Sequence, residues 1–264
     1  MLPHAGERID GWRAARRRAG RMLVALDFDG TLAPIAGHPA EVVFPAASRE
    51  ALERLAARPD TDVAVVSGRS LEDTRARVGL PGLYYAGNHG MEIEGPGIQE
   101  VHSGAAAARS RIAACAASVR EWADRMEGVV LEDKGLTLSV HYRLVRDPAV
   151  AEEVQRRVRE RCGAEPGLRI TGGKQVIEVR PDVPWDKGRA VRFLLDALEA
   201  PGTALLPAIF IGDDATDEDA FRALRGRGDG VVVASPAPAE TAATAWVASV
   251  AEVAALLNAL AAPG

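Results

Sequence analysis

Asp27 and Asp29 stand two residues apart in the stretch LVALDFDGTL, residues 23–32, where an apolar run climbs to the first carboxylate and breaks at Gly30. Burial and mutual repulsion both work against carboxylates set so close together at a strand end. A second apolar run, PAIFIGDD, ends on Asp213 and Asp214, and a third, DVAVVSGR, delivers Ser67. Carboxylates converging from such strand ends need a cation, and a hard, oxygen-seeking ion such as Mg²⁺, which takes one or two carboxylates plus substrate phosphate, suits the set. With Asp27 held against the metal, its free oxygen can act as a nucleophile, while Asp29 carries a proton to or from the departing oxygen. Gly30 lets backbone N–H groups approach a dianionic phosphate closely. Phosphoryl transfer also needs donors and fixed positive charge around the phosphate oxygens, and Ser67 and Lys187 have that chemistry. A lysine at a helix start opposes the helix dipole, which itself points to a role for Lys187.

The elements that must position these groups follow from periodicity. LVALD, DVAVVSGR and LYYAGNHG read as strands, separated by the helices SREALERLAARP, with Ser48 as its N-cap, and SLEDTRARVG, which stops at Gly79. Continuous apolar strands joined by amphipathic helices predict a parallel sheet covered on both faces. Residues 104–181 change character: a helix over about Ala105 to Met126, a hairpin turning near Asp133 to Gly135, a helix AVAEEVQRRVRERCG, and a hairpin turning through Gly172 and Gly173. Helix, hairpin, helix, hairpin predicts a small antiparallel sheet backed by two helices. Its period of two puts Leu136, Leu138, Val140 and Tyr142 on one face and Thr137, Ser139, His141 and Arg143 on the other. In the last hairpin Gln175, Ile177 and Val179 oppose Lys174, Val176, Glu178 and Arg180, so one face is hydrophilic enough for a polar ligand. From Trp185 the first pattern returns, with DKGRAVRFLLDALE, PAIFIGDD, DEDAFRAL, DGVVVA and VAEVAALLNAL. The fold class is therefore α/β, with core segments 1–103 and 182–264 flanking an insert at 104–181, and function is expected where the two domains face each other.

Composition limits the alternatives. The 264 residues, 47% hydrophobic and 26% charged, fit a globular chain of one or two domains. The net charge of -5 disfavours a nucleic-acid binder. Arg13, Arg16, Arg17, Arg18 and Arg21 form a basic stretch that reads as a solvated helix face. No window approaches a membrane span, and Met22 to Leu26 is too short for a signal-peptide core, so a cytoplasmic protein starting near Met1 is expected; a monomer is expected separately. Cys115 and Cys162 lack metal or disulfide spacing and read as packing residues.

Asp27, Asp29 and Thr31 in DFDGTL, Ser67 in VSGR, Lys187 in WDKG, and Asp213 with Asp217 in GDDATDEDAF resemble, in order, the four motifs of the haloacid dehalogenase-like phosphatases. GNHG at 87–90, EDKGLTLSVHYR at 132–143 and GGKQVIEVRP at 172–181 are similar to the trehalose-6-phosphate phosphatase family, and the likeness runs from Leu23 to Phe221. The resemblance implies a Rossmann-like parallel-sheet hydrolase core with an inserted α+β cap. It implies Mg²⁺-dependent hydrolysis of a small phosphosugar, trehalose 6-phosphate, through an aspartyl-phosphate, the final step of trehalose biosynthesis, in a stand-alone phosphatase form. Asp27 would be the nucleophile and Asp29 the general acid and then base; Gly30, Thr31, Ser67, Gly68, Arg69 and Lys187 would surround the phosphate. Asp213, Asp214 and Asp217, with Asp27 and the Asp29 carbonyl, would hold Mg²⁺. Glu132, Lys134, Arg143, Lys174 and Glu178, with Asn88 and His89, would contact the sugar.

Several of these residues keep a second reading. Arg69 also fits a salt bridge at a helix start, and Asp214 a carboxylate behind the metal. Thr216, Asp217 and Glu218 also fit helix capping, and His89 a turn cap. His141 reads as solvated and Trp185 as a packing residue. Phe28 replaces the tyrosine often found between the motif aspartates, and Gln175 follows the cap lysine; neither removes a chemical group. The same chemistry on sucrose phosphate or glucosyl-3-phosphoglycerate, and an inactive phosphosugar-sensing module, are the competing functions.

Overall fold

The computed structural model describes residues 2–173, 175–199 and 205–263, so Lys174 lies outside the described residues. The chain forms two units. Met1–Ala36, Val42–Glu100 and Trp185–Gly264 make the larger, and Gly37–Glu41 with Val101–Pro184 the smaller. The first part runs α1 (Ile9–Ala19), β1 (Met22–Leu26), α2 (Ala46–Ala56), β2 (Thr61–Val66), α3 (Leu71–Val78), β3 (Tyr84–Gly87), β4 (Glu92–Gly95) and β5 (Ile98–Val101). The smaller unit adds α4 (Ser103–Ala123), β6 (Val130–Asp133), β7 (Leu138–His141), α5 (Pro148–Cys162), β8 (Leu168–Gly173) and β9 (Val176–Pro181). The chain closes with α6 (Lys187–Leu198), β10 (Ala208–Gly212), α7 (Asp217–Ala223), β11 (Gly228–Val233), β12 (Ala245–Val247) and α8 (Val250–Ala261).

The larger sheet has the order β12-β11-β10-β1-β2-β3-β4-β5. Its strands pair in parallel from β12 to β3, and β4 joins antiparallel. Burial on both faces explains why β1 reads as an unbroken apolar run. Met22, Val24 and Leu26 enter a core shared with α2 and α8, while Leu23 and Ala25 enter one shared with α6 and α7. From β1 the chain winds outward through β2 and β3, then returns to β10 on the other flank of β1. The strand order thus reverses between β1 and β10, and in open α/β sheets such a switch point opens a ligand crevice at the carboxyl ends of the strands.

In the smaller unit the sheet order is β6-β7-β9-β8, with antiparallel pairing throughout. Leu138, Val140, Ile177 and Val179 pack with Ile112, Cys115, Ala116 and Val119 of α4 and Val154, Val158 and Cys162 of α5. Both cysteines are free and buried. No helix among the described residues is long and apolar enough to cross a membrane.

Three local expectations change. The N-cap of α2 is Pro45, and Ser48 lies inside the helix, buried. Gly172 and Gly173 belong to β8, paired with Ile177 and Val176, and the chain reverses after them, where Gln175 takes φ 59. The arginine stretch is not one solvated face. Arg16 is 3% exposed and donates to Leu260 O, and Arg13 donates to Ala259 O, so the last carbonyls of α8 receive guanidinium caps.

Candidate active site

Strand pairing brings the motif residues of the larger unit together. Leu26 of β1 stands opposite Ile211 of β10 and Val65 of β2. The next residues out are therefore Asp27, the Gly212–Asp213 turn and Ser67. The Asp27 amide still donates to Ile211 O at 2.9 Å, so its side chain emerges from an anchored backbone. The chain then turns at once: the amides of Leu32 and Ala33 both donate to Phe28 O, and that of Gly30 to Ala33 O. Gly30 adopts φ +89, and a Cβ there would lie 2.3 Å from the Asp213 carboxyl carbon. Glycine is required on both counts. Gly212 is constrained in the same way, since a Cβ would meet the Asp217 carboxyl at 2.3 Å.

Lys187 Nζ stands 2.8 Å from Asp27 Oδ1 and 2.7 Å from Asp217 Oδ1, and all three side chains are nearly sealed from water. The other oxygen of Asp217 accepts from the amides of Asp213 and Asp214 at 2.8 and 3.0 Å, which locks the loop after β10. Asp214 Oδ1 accepts from the amide and hydroxyl of Thr216 at 2.8 and 2.7 Å, so this carboxylate organises the start of α7. Asp27, Asp213 and Asp217 each offer an oxygen within 4.8 Å of the others.

The electrostatics of this cluster are unbalanced. Burial pushes the Asp27 carboxyl well above its ordinary range; Lys187 opposes the rise, and Asp217, Asp214 and Asp213 add to it. Asp217 is pushed up to about 7, again by burial first. Burial alone would drive Lys187 toward the neutral form, but Asp217, Asp27 and Asp214 outweigh it and hold the ammonium charged. Asp214 is also buried, yet Lys187 and the Thr216 hydrogen bonds bring it down to about 2. One lysine among four carboxylates leaves negative charge that a hard cation on all-oxygen donors would neutralise. Thr31 Oγ1 is buried without a hydrogen-bond partner among the described residues, which suits an oxygen-rich ligand that would accept from it.

Around this cluster the phosphate-motif loop is built tightly. Ser67 is 1% exposed, and its Oγ accepts from the Arg69 amide at 3.2 Å. The GNHG turn braces that loop: the Asn88 amide donates to Arg69 O at 2.6 Å and the His89 amide to Ser67 O at 2.9 Å. Asn88 and His89 take left-handed φ values of 50 and 58, a strained state that the paired loops enforce. Asn88 is wholly buried with Nδ2 on Glu92 at 2.8 Å, and the His89 ring lies where any Cβ at Gly68 would collide with it. Trp185 Nε1 donates to Gly90 O at 2.7 Å. Arg69 directs Nε and Nη2 to Asp29 and Nη1 to Asp73.

In the smaller unit, the sheet face away from the helices carries paired charges. Lys134 Nζ lies 3.0 Å from Glu178 Oε1, which also accepts from Ser139 Oγ at 3.2 Å, and Arg180 is 3.8 Å from the other Glu178 oxygen. Glu132 Oε2 lies 2.9 Å from His141 Nε2, so His141 is a partnered residue and not a solvated one. Arg143 is half-buried just beyond β7. Sequence reasoning missed Asp73 and Arg77, although Arg69, Asp73 and Arg77 recur every four residues; it also missed the Glu132–His141 pair, whose members lie two positions out of register on adjacent strands.

A family model described as trehalose-phosphatase matches residues 25–250. A trehalose-phosphate phosphatase of Mycobacterium avium is 42% identical over 228 residues, 86% of this chain and 57% of that protein. One of Mycobacterium tuberculosis is 43% identical over 216 residues, 81% of this chain and 54% of that protein. The chain thus spans a little over half the length of these curated relatives. Among solved structures, Aspergillus fumigatus trehalose-6-phosphate phosphatase is 26% identical with a TM-score of 0.65, covering 99% of each chain. The C-terminal domain of C. albicans trehalose-6-phosphate phosphatase shares the fold at a TM-score of 0.80, with 24% identity and coverage of 99% of this chain and 98% of that one. With its motif residues gathered at one switch point and the family model matched across both units, this chain belongs to the trehalose-phosphatase family.

Proposed function

We propose that this protein hydrolyses trehalose 6-phosphate to trehalose and inorganic phosphate with Mg²⁺, through a phosphoryl group carried on Asp27. The observation that carries the proposal is the buried Lys187 bridge between Asp27 and Asp217 beside Asp213, a cluster with excess negative charge and only oxygen donors. Asp27, Asp213 and Asp217, with the Asp29 carbonyl and Asp214 nearby, would hold the cation. Bound there, Mg²⁺ supplies positive charge against the carboxylates and the phosphoryl oxygens.

Lys187 orients Asp27 through Oδ1 and leaves Oδ2 for attack on phosphorus. As the Asp27 oxygen–phosphorus bond forms, the bond from phosphorus to the sugar oxygen breaks, and Asp29 gives that oxygen its proton. A water then attacks phosphorus, Asp29 takes its proton, and the phosphorus bond to Asp27 breaks, restoring the Asp27 carboxylate and the protonated Asp29. Ser67, Thr31 and Lys187 supply donors to the phosphoryl oxygens. The polar sheet face of Glu132, Lys134, Glu178 and Arg143 is proposed to hold the distal glucose. The names of the relatives and the low exposure of the Lys134–Glu178 pair support that assignment.

Phosphate release measured with Mg²⁺ on trehalose 6-phosphate, sucrose 6-phosphate, glucose 6-phosphate and glucosyl-3-phosphoglycerate tests the reading. Trehalose 6-phosphate is expected to lead by at least 100-fold, about 2.7 kcal/mol of differential transition-state binding. A flat profile removes the substrate and keeps the chemistry, whereas no release on any of them points to a phosphosugar-sensing module.

A further inference from the structure

The Arg69 guanidinium is fastened on three sides. Nε and Nη2 donate to the two carboxylate oxygens of Asp29 at 2.6 and 2.7 Å, and Nη1 donates to Asp73 Oδ2 at 2.7 Å. Its central carbon lies 5.6 Å from the centre of the Phe28 ring. Asp73 is in turn gripped at both oxygens by Arg77 Nε at 2.9 Å, and Arg77 Nη1 donates to Val42 O at 2.9 Å. A ladder Asp29–Arg69–Asp73–Arg77 therefore ties the motif carboxylate to α3 and to backbone. A planar fork that meets both oxygens fixes the plane of a carboxylate as well as its distance, which a lysine cannot do. Stacking on Phe28 restrains the fork itself. Arg69 is only 6% exposed, while the Asp29 side chain keeps 32% of its surface open, so the fork is held from the protein side and the carboxyl group still faces solvent.

We infer that Arg69 is a positioning residue that acts through Asp29, holding its carboxyl group in one orientation through one lone pair on each oxygen and leaving an outward lone pair to carry the proton that goes to the leaving oxygen, and that it is not a ligand of the phosphate. The inference rests on the phosphatase reading. Three of the five guanidinium N–H groups already point at carboxylates, and the Nε–Nη2 edge, which could otherwise chelate a phosphate, is spent on Asp29. Asp73 and Arg77 extend the role: they hold the fork from behind, so Asp29 is oriented from α3 and not from its own strand alone.

The test compares kcat/KM on trehalose 6-phosphate and on p-nitrophenyl phosphate for wild type, Arg69→Gln, Arg69→Lys, Asp29→Asn and the Asp29→Asn/Arg69→Gln double variant, all with Mg²⁺. This ratio reports the steps through departure of the leaving group, where a sugar oxygen needs a proton and p-nitrophenolate does not. Arg69→Gln should lower kcat/KM on trehalose 6-phosphate at least about tenfold more than on p-nitrophenyl phosphate, with Arg69→Lys recovering only part. Inhibition by inorganic phosphate should stay within about threefold of wild type, and in the Asp29→Asn background the Arg69 change should cost no more than about twofold, because the two act as a unit. Equal losses on both substrates with weakened phosphate inhibition, or additive losses in the double variant, would overturn the inference and make Arg69 a phosphate ligand. If Arg69→Gln fails to fold, Asp73→Asn must show the same leaving-group selectivity at smaller size, and its absence overturns the inference equally. A wild type inactive on both substrates overturns the phosphatase reading itself, whereas an active wild type with unselective variants removes the inference alone.

Discussion

Lys187 and Asp27 meet at 2.8 Å although they are 160 residues apart, and each is almost completely withdrawn from water. The lysine sits at the first position of α6, the positive end of a helix dipole, where a cation is normally disfavoured. The carboxylates across the β1–β10 switch point, Asp27 and Asp217, offset that penalty, so the buried lysine is stable only in their company.

Replacing Lys187 with alanine should therefore damage both stability and turnover. Removing one partner of a buried charge pair typically costs about 3–5 kcal/mol. For a chain of this size that corresponds to a fall of roughly 10 °C in Tm. Differential scanning calorimetry and phosphate release check the two effects; a variant within a degree of wild type would refute the bridging role.

Asp27→Asn separates chemistry from folding. The amide keeps a contact for Lys187 and removes a carboxylate that burial already holds well above its ordinary range. Turnover should drop by roughly 10⁴-fold or more while Tm stays the same or rises. Retained turnover would discard the covalent route.

The cluster should also make stability depend on pH and metal together. A carboxyl whose folded pKa lies above its unfolded one binds its proton more tightly in the native state. Its stabilisation is full below about 3.9 and is lost as pH rises. Asp217, at about 7, thus weakens the metal-free fold between roughly pH 4 and pH 7, and the raised Asp27 acts in the same direction. Asp214, at about 2, acts oppositely and loses its contribution only as pH falls from about 4 toward 2. Mg²⁺ competes with the same protons, so the rise in Tm on adding Mg²⁺ to chelator-treated protein should grow from about pH 5 to about pH 8. An equal rise at both ends would count against metal binding at these carboxylates.

Glu178→Ala addresses the polar face of the smaller unit. It takes from Lys134 its 3.0 Å partner and from Ser139 its acceptor. KM for trehalose 6-phosphate should rise by about 10- to 100-fold, with a far smaller change for p-nitrophenyl phosphate, which has no distal hydroxyls. Matching changes on both would refute the sugar assignment.

Arg16→Ala probes the fold without touching the site. Arg16 donates to Leu260 O at 2.9 Å and Thr61 Oγ1 at 3.3 Å, and it lies 3.5 Å from Asp60. Its loss should cost about 2 kcal/mol, leaving buried acceptors unpaired, while kcat on trehalose 6-phosphate is unchanged. A normal melting curve would return the arginine stretch to a solvated role.

Much of the larger unit was legible because period and punctuation are local. β1, β2 and β10 alternate between two buried cores and so appear as unbroken apolar runs that end on polar residues. The first strands and the helices that follow them appear at nearly their structural bounds, and the polar and apolar faces of the smaller sheet were read from a period of two. The N-cap of α2 was misread because proline at 45 supplies an extended residue before the helix, while Ser48 is simply buried. The β8–β9 reversal was misread because glycine marks a strand interior there as readily as a turn.

Residue types in order already named a two-aspartate strand end, a serine loop, a helix-start lysine and an acidic turn, since each is set by neighbours within a few residues. Their partnerships were decided only in three dimensions. The return of β10 to the flank of β1 places Asp213 and Asp217 against Asp27, and the rotamer of Arg69 assigns its fork to Asp29, 40 residues away. Burial, which sets the protonation of Asp27 and Asp217, is a property of the packed core and of no single segment, and that is why the chemistry of these carboxylates becomes readable only once the sheet has closed around them.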